Sequence, residues 1–471
     1  MKRSLLVALL AFAAGMAFGV YKIPPYEQLR SVKVKLFGHR GKLRALSDEE
    51  KRWHGVWHPM RELGTGAEDG SSVADLANVP YLSGTEVAPE SQETVLFVDP
   101  DAAQPGVNLV VSGHAPEAVL TDLKGQVLHK WGRALEDVWP GPLGFDEWDV
   151  HKQFWRHAYL YPNGDLLAVF EGIGIVKLDA QSEVLWHQKI RTHHDTWVEP
   201  DGRIFTLTRK SVLEPPESWR TWPLEVRRRV IEDYVTVLSP DGEVEQSVSV
   251  VECLLNSRFS GLLNLLRERA GDLLHANAIE VMDGRFADRH PLYAKGQVLV
   301  SLPTLSTLAV LNLEAKTVVW AATGLCCYQH DPSVLDDGSI MVFDNLGDGA
   351  RSRVLVFDPR TEHVSWEFKS TPEREFASKI LGAVQRLGNG NALITESTAG
   401  RAFEVTPELD VVWDYQSPYR AGDDGDLVAS LFHVTRFDPA TFTGALAEVL
   451  GPEPAAAPLD LDRVKELTGG N

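Results

Sequence analysis

A repeated pattern with a period of about 45 residues constrains the fold of this chain more than any other feature of its sequence. In each copy an apolar segment ends in Asp, Asn or Thr, and a short turn and two further residues lead to Trp. Complete copies end at Trp186, Trp320, Trp366 and Trp413, and the last three are 46 and 47 residues apart. Four short strands per period are typical of one blade of a β-propeller. Six copies between about Glu93 and Phe437 predict an all-β, six-bladed β-propeller, with the tryptophans packed between blades.

Segments of other kinds flank and interrupt the repeat. We predict a signal anchor or transmembrane helix at 1–21, a juxtamembrane helical and linker segment at 22–90, the propeller at 91–440 and a flexible C-terminal tail at 441–471. We also predict helical insertions near 211–232 and 250–274, the second because its leucines form apolar faces. These insertions would form either a lid over one face of the propeller or an extra packing or dimer helix.

The N-terminus is predicted to interact with a membrane. Lys2 and Arg3 precede the uncharged stretch Ser4–Tyr21, which is long enough for a short span. A cleaved signal peptide is the alternative, but no clear cleavage site follows, so we favour an uncleaved anchor. The basic flank Lys22–Arg44 favours the cytoplasm, whereas the short Lys-Arg start favours export. We choose export, which predicts a single-pass bacterial inner-membrane protein with its propeller in the periplasm.

Composition excludes several kinds of function. The formal net charge of −20 argues against a nucleic-acid partner. The three cysteines are too few for a disulfide framework, and the adjacent Cys326 and Cys327 would be buried thiols or a strained vicinal disulfide. Neither a P-loop nor a dinucleotide fingerprint follows a strand, and no local metal motif occurs. We therefore predict no nucleotide cofactor and no metal.

Histidine recurs at one point of the repeated hairpin. Each of His157, His194, His275 and His330 opens a short strand that reaches a turn glycine 7, 8, 9 or 8 residues later. If the repeats close into a ring, these strand ends meet at one mouth of the central channel. The sequence therefore predicts a site in which the four histidines lie together.

The second strands of the same hairpins bring further polar groups to the histidine end. Residues seven positions after a turn glycine return to the level of the histidine. These are Glu171, Arg209, Pro303, Asn345 and Ser397, with Glu396 beside the last. Asn277, two residues after His275, lies on the same face of its strand. Imidazoles can act as nucleophile, proton carrier or metal ligand, and a donor-rich mouth can stabilise an oxyanion. For any single histidine, a structural hydrogen bond at a blade end is the alternative.

Three of these segments resemble the bacterial arylsulfotransferases. They are Gln329-His330-Asp331-Pro332, His275-Ala276-Asn277 with the following Ile279-Glu280-Val281, and the stretch from Leu299 to Asn312 around Ser306. The resemblance extends from about Val107 to Phe437. It implies a six-bladed periplasmic propeller that moves a sulfuryl group from an aryl sulfate to a phenol without a nucleotide, through a covalent histidine intermediate.

The resemblance also implies roles for individual residues. His330 matches the family's nucleophile, and His194 and His275 match its supporting histidines, with Asn277 beside the second. Trp155, Trp197 and Tyr328 would form an aromatic mouth for the acceptor or would belong to the core. We predict catalytic roles for His330, His194, His275 and Arg209. The predicted substrate-binding residues are Asn277, His157, Glu171, Asn345, Glu396, Tyr328 and Trp197.

One departure from the family bears on activity. Ser301-Leu302-Pro303 stands where the family usually carries Ser-Ser-Arg, whose arginine would grip the sulfate. Arg209, at the same level of the neighbouring repeat, is predicted to replace it. The leading hypothesis is an arylsulfotransferase-like enzyme with an aryl sulfate donor and a phenolic acceptor. The alternatives are an inactive propeller that binds a cell-envelope glycan or scaffolds a complex, and a different transferase or lyase that acts on a cell-envelope polymer. A homodimer is compatible with each of them.

Overall fold

The computed structural model describes residues 84–89, 94–141, 154–212, 219, 230–266, 271–348, 351–372, 374–421 and 425–450. The predicted membrane segment Ser4–Tyr21, most of the predicted linker and most of the insertion near 211–232 lie outside these residues. No helix in the described ranges has the length and hydropathy needed to cross a membrane.

Strands make up most of the described chain. In chain order they are β1 Gly84–Val87, β2 Val95–Val98, β3 Val107–Ser112, β4 Glu117–Thr121, β5 Val127–Gly132, β6 Trp155–Leu160, β7 Leu166–Phe170, β8 Gly174–Leu178, β9 Val184–Gln188, β10 Thr192–Val198, β11 Ile204–Val212, β12 Val230–Leu238, β13 Val244–Ser249, β14 Gly271–Asp272, β15 Ala278–Val281, β16 Val298–Leu302, β17 Thr307–Asn312, β18 Thr317–Thr323, β19 His330–Val334, β20 Ile340–Asp348, β21 Arg351–Phe357, β22 Val364–Lys369, β23 Ala383–Arg386, β24 Ala392–Glu396, β25 Arg401–Val405, β26 Val411–Gln416, β27 Arg420–Ala421, β28 Leu427–Ala429 and β29 Leu431–Phe437. The all-β prediction is confirmed.

Helices are few and short. The α-helices are α1 Leu135–Val138, α2 Val250–Leu255 and α3 Gly444–Leu450, and the 3₁₀ turns are Ser260–Leu265, Pro291–Tyr293, Pro303–Leu305 and Pro439–Thr441. Within the insertion predicted near 250–274, Leu254 and Leu263 are buried in the core beside β12 and β17. Helix α3 begins the segment predicted as a tail, and its Leu446 is buried against another core cluster.

The larger sheets are four-stranded antiparallel meanders that follow one another along the chain, as in a propeller. Strands β6–β9, β10–β13, β15–β18 and β19–β22 form four of them, and β14 adds a short parallel strand to β12. Two more sheets combine both ends of the described chain, in the orders β29-β3-β4-β5 and β2-β26-β25-β24-β23. A small sheet, β1-β28-β27, lies apart from this series. In each of these two sheets, strands from the early part of the chain therefore pair with strands from its late part.

The hairpins within the meanders turn at the predicted glycines. Gly164 and Gly338 have φ of 91° and 87°, a region in which side chains with a Cβ are strained. Asn163 Oδ1 accepts a hydrogen bond from Asp165 N at 3.1 Å, which stabilises the first of these turns. The local Asn-Gly and Asp-Gly sequences therefore set the hairpin positions.

The tryptophans lie on outer strands, as predicted, and join neighbouring sheets. Four of them donate the indole Nε1–H to a turn carbonyl of the adjacent sheet at 2.8–3.0 Å, whereas Trp186 Nε1 has no hydrogen-bond partner among the described residues. The pairs are Trp131 with Gly164, Trp320 with Pro359, Trp366 with Pro407 and Trp413 with Leu123. Each of these four rings thus contributes apolar packing and one satisfied hydrogen bond between sheets.

Hydrogen bonds also link neighbouring sheets, in four of five cases between their first strands and in one from β24, and these links lie next to the histidines. A side chain of one sheet accepts a backbone N–H from the next sheet in each case. The acceptor and donor pairs are Asp195 with Ile279, Glu280 with Val334, Asp331 with Val384, Thr395 with Val434 and His433 with Ala158. Pairing registers shift between Trp155 and His157, between His193 and Thr196, between His330 and Ser333, and between Leu431 and His433. The shifts redirect the residues between these positions relative to the regular strand alternation.

Candidate active site

His330 begins β19 and is held by two oxygen acceptors at one ring nitrogen. Its Nδ1 lies 2.8 Å from Asn345 Oδ1 and 3.1 Å from the carbonyl oxygen of Tyr328. Asn345 Nδ2 donates to the carbonyls of Ser378 and Leu381, so its Oδ1 must face the imidazole. Since both neighbours accept, Nδ1 carries the hydrogen and Nε2 carries the lone pair. The ring is therefore held in the tautomer of a nitrogen nucleophile.

The protonation state of His330 agrees with this assignment. Its side chain is buried, and burial lowers its pKa to about 3, with a further contribution from the charge of Arg156. Removing the imidazolium from water costs more than the two acceptors return. At neutral pH His330 is therefore a neutral imidazole whose Nε2 is unprotonated.

His194 and His275 form an edge-to-face pair, with ring centroids 4.8 Å apart. His275 Nδ1 lies 2.7 Å from Asp272 Oδ2, and its backbone N–H donates to the other oxygen of the same carboxylate. Burial acts to lower the pKa of His275, but the Asp272 carboxylate outweighs it and the pKa is raised. Burial holds the pKa of His194 well below its usual value, with smaller contributions from Arg156 and His275. The pair thus combines a neutral imidazole with one that retains its proton more readily.

Backbone strain is concentrated at these residues. His194, His275, Tyr328 and Asp331 have φ of 56°, 55°, 54° and 49°. Residues with a Cβ adopt this left-handed region at a cost, and such residues tend to occur at functional sites. Strain at both supporting histidines and on either side of His330 indicates that the surrounding structure imposes these side-chain directions.

Glu171 joins His194 to Arg209. Its Oε2 accepts the backbone N–H of His194 at 3.2 Å, and its Oε1 lies 3.4 Å from Arg209 Nη1. Both side chains of this ion pair are buried. Spacing from the turn glycines predicted that both would return to the level of the histidines, and the structure places them there.

Asn277 and Gln329 form a polar pair beside His330. Asn277 Nδ2 donates to the Gln329 carbonyl at 3.0 Å, and Ser301 Oγ donates to the same oxygen. The Oδ1 atom of Asn277 is buried and has no hydrogen-bond partner among the described residues. An unsatisfied acceptor at this depth suits a hydroxyl or amide of a bound molecule. Pro303 opens a 3₁₀ turn and offers neither a charge nor an N–H.

Two predicted substrate-binding residues are engaged elsewhere. Glu396 accepts from Ala377 N at 2.8 Å and pairs with Arg401 at 3.2 Å, while burial raises its pKa to about 7. Trp197 packs against a core cluster and donates to Glu199 Oε1, toward the turn end of its hairpin. Trp155 is fully buried in another core cluster. Within the described ranges, these three side chains form no hydrogen bond or ring contact with His194, His275 or His330.

His157 lies in the cluster together with a histidine that the sequence reasoning missed. His157 stacks on His433 with ring centroids 4.7 Å apart, and its Nδ1 lies 3.3 Å from Asp195 Oδ1. Burial lowers the pKa of His157 to about 3 and that of His433 well below the usual value. Leu-Phe-His433-Val repeats the strand opening seen at the other histidines, but no turn glycine follows because β29 pairs with β3. In the sequence, only this strand opening could have indicated that His433 belongs to the cluster.

Sequence reasoning also missed three charged residues among the histidines. Arg156, Asp195 and Asp331 lie at or beside the shifts in strand register. Burial raises the pKa of Asp195 to about 6 and that of Asp331 to about 7, and the charge of Asp195 contributes to the raised pKa of Asp331. Carboxyls that are partly protonated near neutral pH repel a bound anion less than full charges would.

The arrangement as a whole suits transfer of a small anionic group. It offers a neutral imidazole nucleophile, an imidazole that holds its proton near a carboxylate, and arginine charge beside them. Among the described residues, no three His, Cys, Asp or Glu side chains come together as metal ligands. Cys326 and Cys327 form no disulfide bond.

Comparison with known proteins yields one family. A family model described as Arylsulfotransferase (ASST) matches residues 157–418. No curated protein sequence matches the chain significantly. This match includes all of the residues predicted as catalytic or substrate-binding.

Solved structures with detectable likeness are distant. A protein of unknown function from Bacteroides caccae is 11% identical with a TM-score of 0.45, and the match covers 71% of this chain and 99% of that one. Virginiamycin B lyase from Staphylococcus aureus is 10% identical with a TM-score of 0.37 over 72% and 97% of the two chains. The WD40 β-propeller domain of Doa1 is 12% identical with a TM-score of 0.39 over 77% and 98%. We draw no functional conclusion from these likenesses.

Proposed function

Because this chain belongs to the arylsulfotransferase family, we propose that it transfers a sulfuryl group from an aryl sulfate to a phenolic acceptor through a covalent adduct on His330, without a nucleotide cofactor. The observation that carries the proposal is the state of His330. It is buried, neutral and oriented by Asn345, so that Nε2 presents its lone pair. These are the properties that a nitrogen nucleophile needs.

In the first half-reaction Nε2 of His330 attacks the sulfur of the aryl sulfate. The N–S bond forms as the S–O bond to the aryl group breaks, and the electron pair leaves on the aryl oxygen. Positive charge that develops on the imidazole is stabilised by Asn345 Oδ1 and the Tyr328 carbonyl at Nδ1. His275, whose proton is held by Asp272, donates it to the leaving oxygen.

In the second half-reaction a phenolic acceptor attacks the same sulfur. The N–S bond breaks, its electron pair returns to Nε2, and the phenol's proton passes to the neutral His275. Asn277 Oδ1, which has no partner in the described chain, accepts from the bound hydroxyl and orients it. His194 orients sulfuryl oxygens, and Glu171, which pairs with Arg209, holds the backbone of His194 in place.

We also propose how the chain is arranged around this site and placed in the membrane. The six larger sheets are the blades of one propeller, which is supported by the hydrogen bonds that link neighbouring sheets. Ser4–Tyr21 anchors the chain in the inner membrane with the propeller outside the cytoplasm. Protease treatment of intact and lysed spheroplasts tests this orientation, because a cytoplasmic propeller would be degraded only after lysis.

A turnover assay tests the reaction. Full-length protein in detergent is mixed with 4-nitrophenyl sulfate, with and without phenol, and release of nitrophenol is followed together with the intact mass. We expect phenol-dependent release, formation of phenyl sulfate and, without phenol, a mass increase of one sulfuryl group on His330. A chain that binds a labelled cell-envelope glycan but neither turns over aryl sulfates nor gains mass would favour the inactive, glycan-binding alternative.

The proton on His275 gives a prediction about pH. Its folded-state pKa is raised above the ordinary 6.5, so the acid is present at low pH and is lost as pH rises through the raised value. Phenyl sulfate has a poor leaving group that needs this proton. Its turnover should therefore fall as pH rises through the pKa of His275. Asp272→Asn removes the largest contribution that opposes burial and leaves only those of Asp233 and Glu171, so the fall in turnover should move to lower pH. Initial rates across pH measure the shift.

The control uses the same variant with a different donor. 4-Nitrophenyl sulfate releases a stable anion that needs little protonation, so its first half-reaction should change much less in Asp272→Asn. If phenyl sulfate turnover by Asp272→Asn falls at the same pH as in the wild type, Asp272 does not set the proton affinity of a catalytic acid.

A further inference from the structure

Arg156 has no polar partner in the described part of the chain, in contrast to Arg209, which pairs with Glu171. It lies in β6 between Trp155 and His157, where the register with β7 shifts, so it is outside the regular alternation of the strand. Its guanidinium carbon lies 4.9 Å from the centroid of the Phe432 ring. Within the described ranges it forms no hydrogen bond or close ion pair. All five N–H donors are thus left over in a partly buried position.

The charge of Arg156 acts at the centre of the histidine cluster. Burial is the main cause of the low pKa values of His157, His194, His330 and His433, and Arg156 lowers each of them further. One guanidinium is therefore within electrostatic reach of the candidate nucleophile and of one supporting histidine. These four imidazoles are neutral, so an anion would meet positive charge there at Arg156 and at the proton of His275.

The nearby carboxylates do not neutralise it by contact because they have other partners. Asp195 accepts from Ile279 N and Thr196 N, and Asp331 accepts from Val384 N. The bonds to Ile279 and Val384 join neighbouring sheets. Among the described residues neither carboxylate forms a close ion pair with Arg156, although the charges of both act on it.

Arg209 is in the opposite situation. It is buried with Glu171, 3.4 Å from its Oε1. Recruiting Arg209 to a sulfate would leave Glu171 buried without its counter-charge, which is unfavourable. Spacing along the chain favours Arg209 as the replacement for the family's arginine, whereas the contacts favour Arg156.

We propose that Arg156 binds the sulfuryl oxygens of the donor and of the His330 adduct, in place of the arginine that the family has at the position of Pro303. This inference rests on the proposed function. A planar guanidinium can donate two parallel hydrogen bonds to two sulfuryl oxygens. It exchanges no proton, and it stays beside the group while the S–O bond breaks and the N–S bond forms. Stacking on Phe432 limits its rotation and thereby orders it before the substrate arrives.

The experiment compares Arg156→Gln and Arg156→Lys with the wild type and with Arg374→Gln. Arg374 is a matched control, since it is also partly buried and stacked on a phenylalanine, 4.1 Å from the ring centroid of Phe368, but it lies outside the histidine cluster. The measurements are the single-turnover rate of nitrophenol release, inhibition by inorganic sulfate, and melting temperature. Free guanidinium ion is then added to Arg156→Ala.

We expect Arg156→Gln to slow the first half-reaction by roughly 10²–10³-fold and to abolish sulfate inhibition, since one charged donor to an oxyanion contributes that much. Arg156→Lys should recover part of the rate, guanidinium should rescue Arg156→Ala, and Arg374→Gln should resemble the wild type. Normal turnover and normal sulfate inhibition in Arg156→Gln would overturn the proposal.

Failure of this inference can be told apart from failure of the proposed function. If the wild type forms the His330 adduct and Arg156→Gln forms it equally fast, transfer stands and the role of Arg156 is wrong. If the wild type forms no adduct, calorimetry with inorganic sulfate still decides. Sulfate binding that is lost in Arg156→Gln supports an anion site, and absence of binding to the wild type overturns it.

Discussion

Replacing His330 by alanine should reduce aryl sulfate turnover by at least about 10⁴-fold, because a covalent nucleophile cannot be replaced by the groups around it. Asn345 and the Tyr328 carbonyl would remain in place but would have no ring to orient. Water or the acceptor would then have to attack the donor directly. Both half-reactions should fail, and the mass increase seen with the donor alone should disappear.

The control for this variant is His363→Ala, which removes a histidine from an exposed turn between β21 and β22. It should retain wild-type turnover and adduct formation. Circular dichroism and the melting temperature of His330→Ala show whether the sheets are intact. Wild-type turnover by a folded His330→Ala protein would rule out the covalent mechanism.

Replacing Glu404 by leucine should lower the free energy of unfolding by about 3–5 kcal/mol, since it leaves a buried arginine without its counter-charge. Glu404 pairs with Arg436, and both side chains are almost fully buried. Arg436 Nε also donates to Asn108 Oδ1 at 2.8 Å. These residues lie on β25, β29 and β3, so the network joins the last described strand to early and late sheets. Urea unfolding followed by fluorescence measures the loss.

A double variant and an exposed ion pair test whether the unpaired buried charge causes the loss of stability in Glu404→Leu. Glu404→Leu with Arg436→Met removes both charges and should recover much of the lost stability. Asp336→Asn breaks the ion pair with Arg285, but Asp336 is fully exposed, so the free energy of unfolding should hardly change. If Glu404→Leu were no more costly than Asp336→Asn, the buried pair would not hold the strands together.

Much of the fold was predictable because its signals are local. Strand alternation, turn glycines and recurring tryptophans act within a few residues, and they predicted an all-β chain of repeated meanders. The same hairpin arithmetic brought Asn345 to His330 and Glu171 to His194, because an antiparallel pair returns to its starting level after equal numbers of residues. The family was also predictable from short motifs and is confirmed.

Other parts of the site depend on contacts that no local pattern contains. Arg156 follows Trp155 in a strand whose alternation is interrupted, so its direction could not be read from period-two spacing. His433 joins the cluster because β29 pairs with β3, more than three hundred residues earlier in the chain. The ion pair of Arg209 with Glu171 and that of Glu396 with Arg401 decide which charges remain for a ligand.

The sequence by itself therefore determined the strands, the turns, the family and four of the histidines, since each of these depends on the order of neighbouring residues. Only the tertiary structure decided which side chains share the space around His330 and which charges are neutralised there. The physical reason is that a shift in strand register and the pairing of distant strands redirect side chains without changing local propensity. Burial then sets the protonation states of the groups that meet.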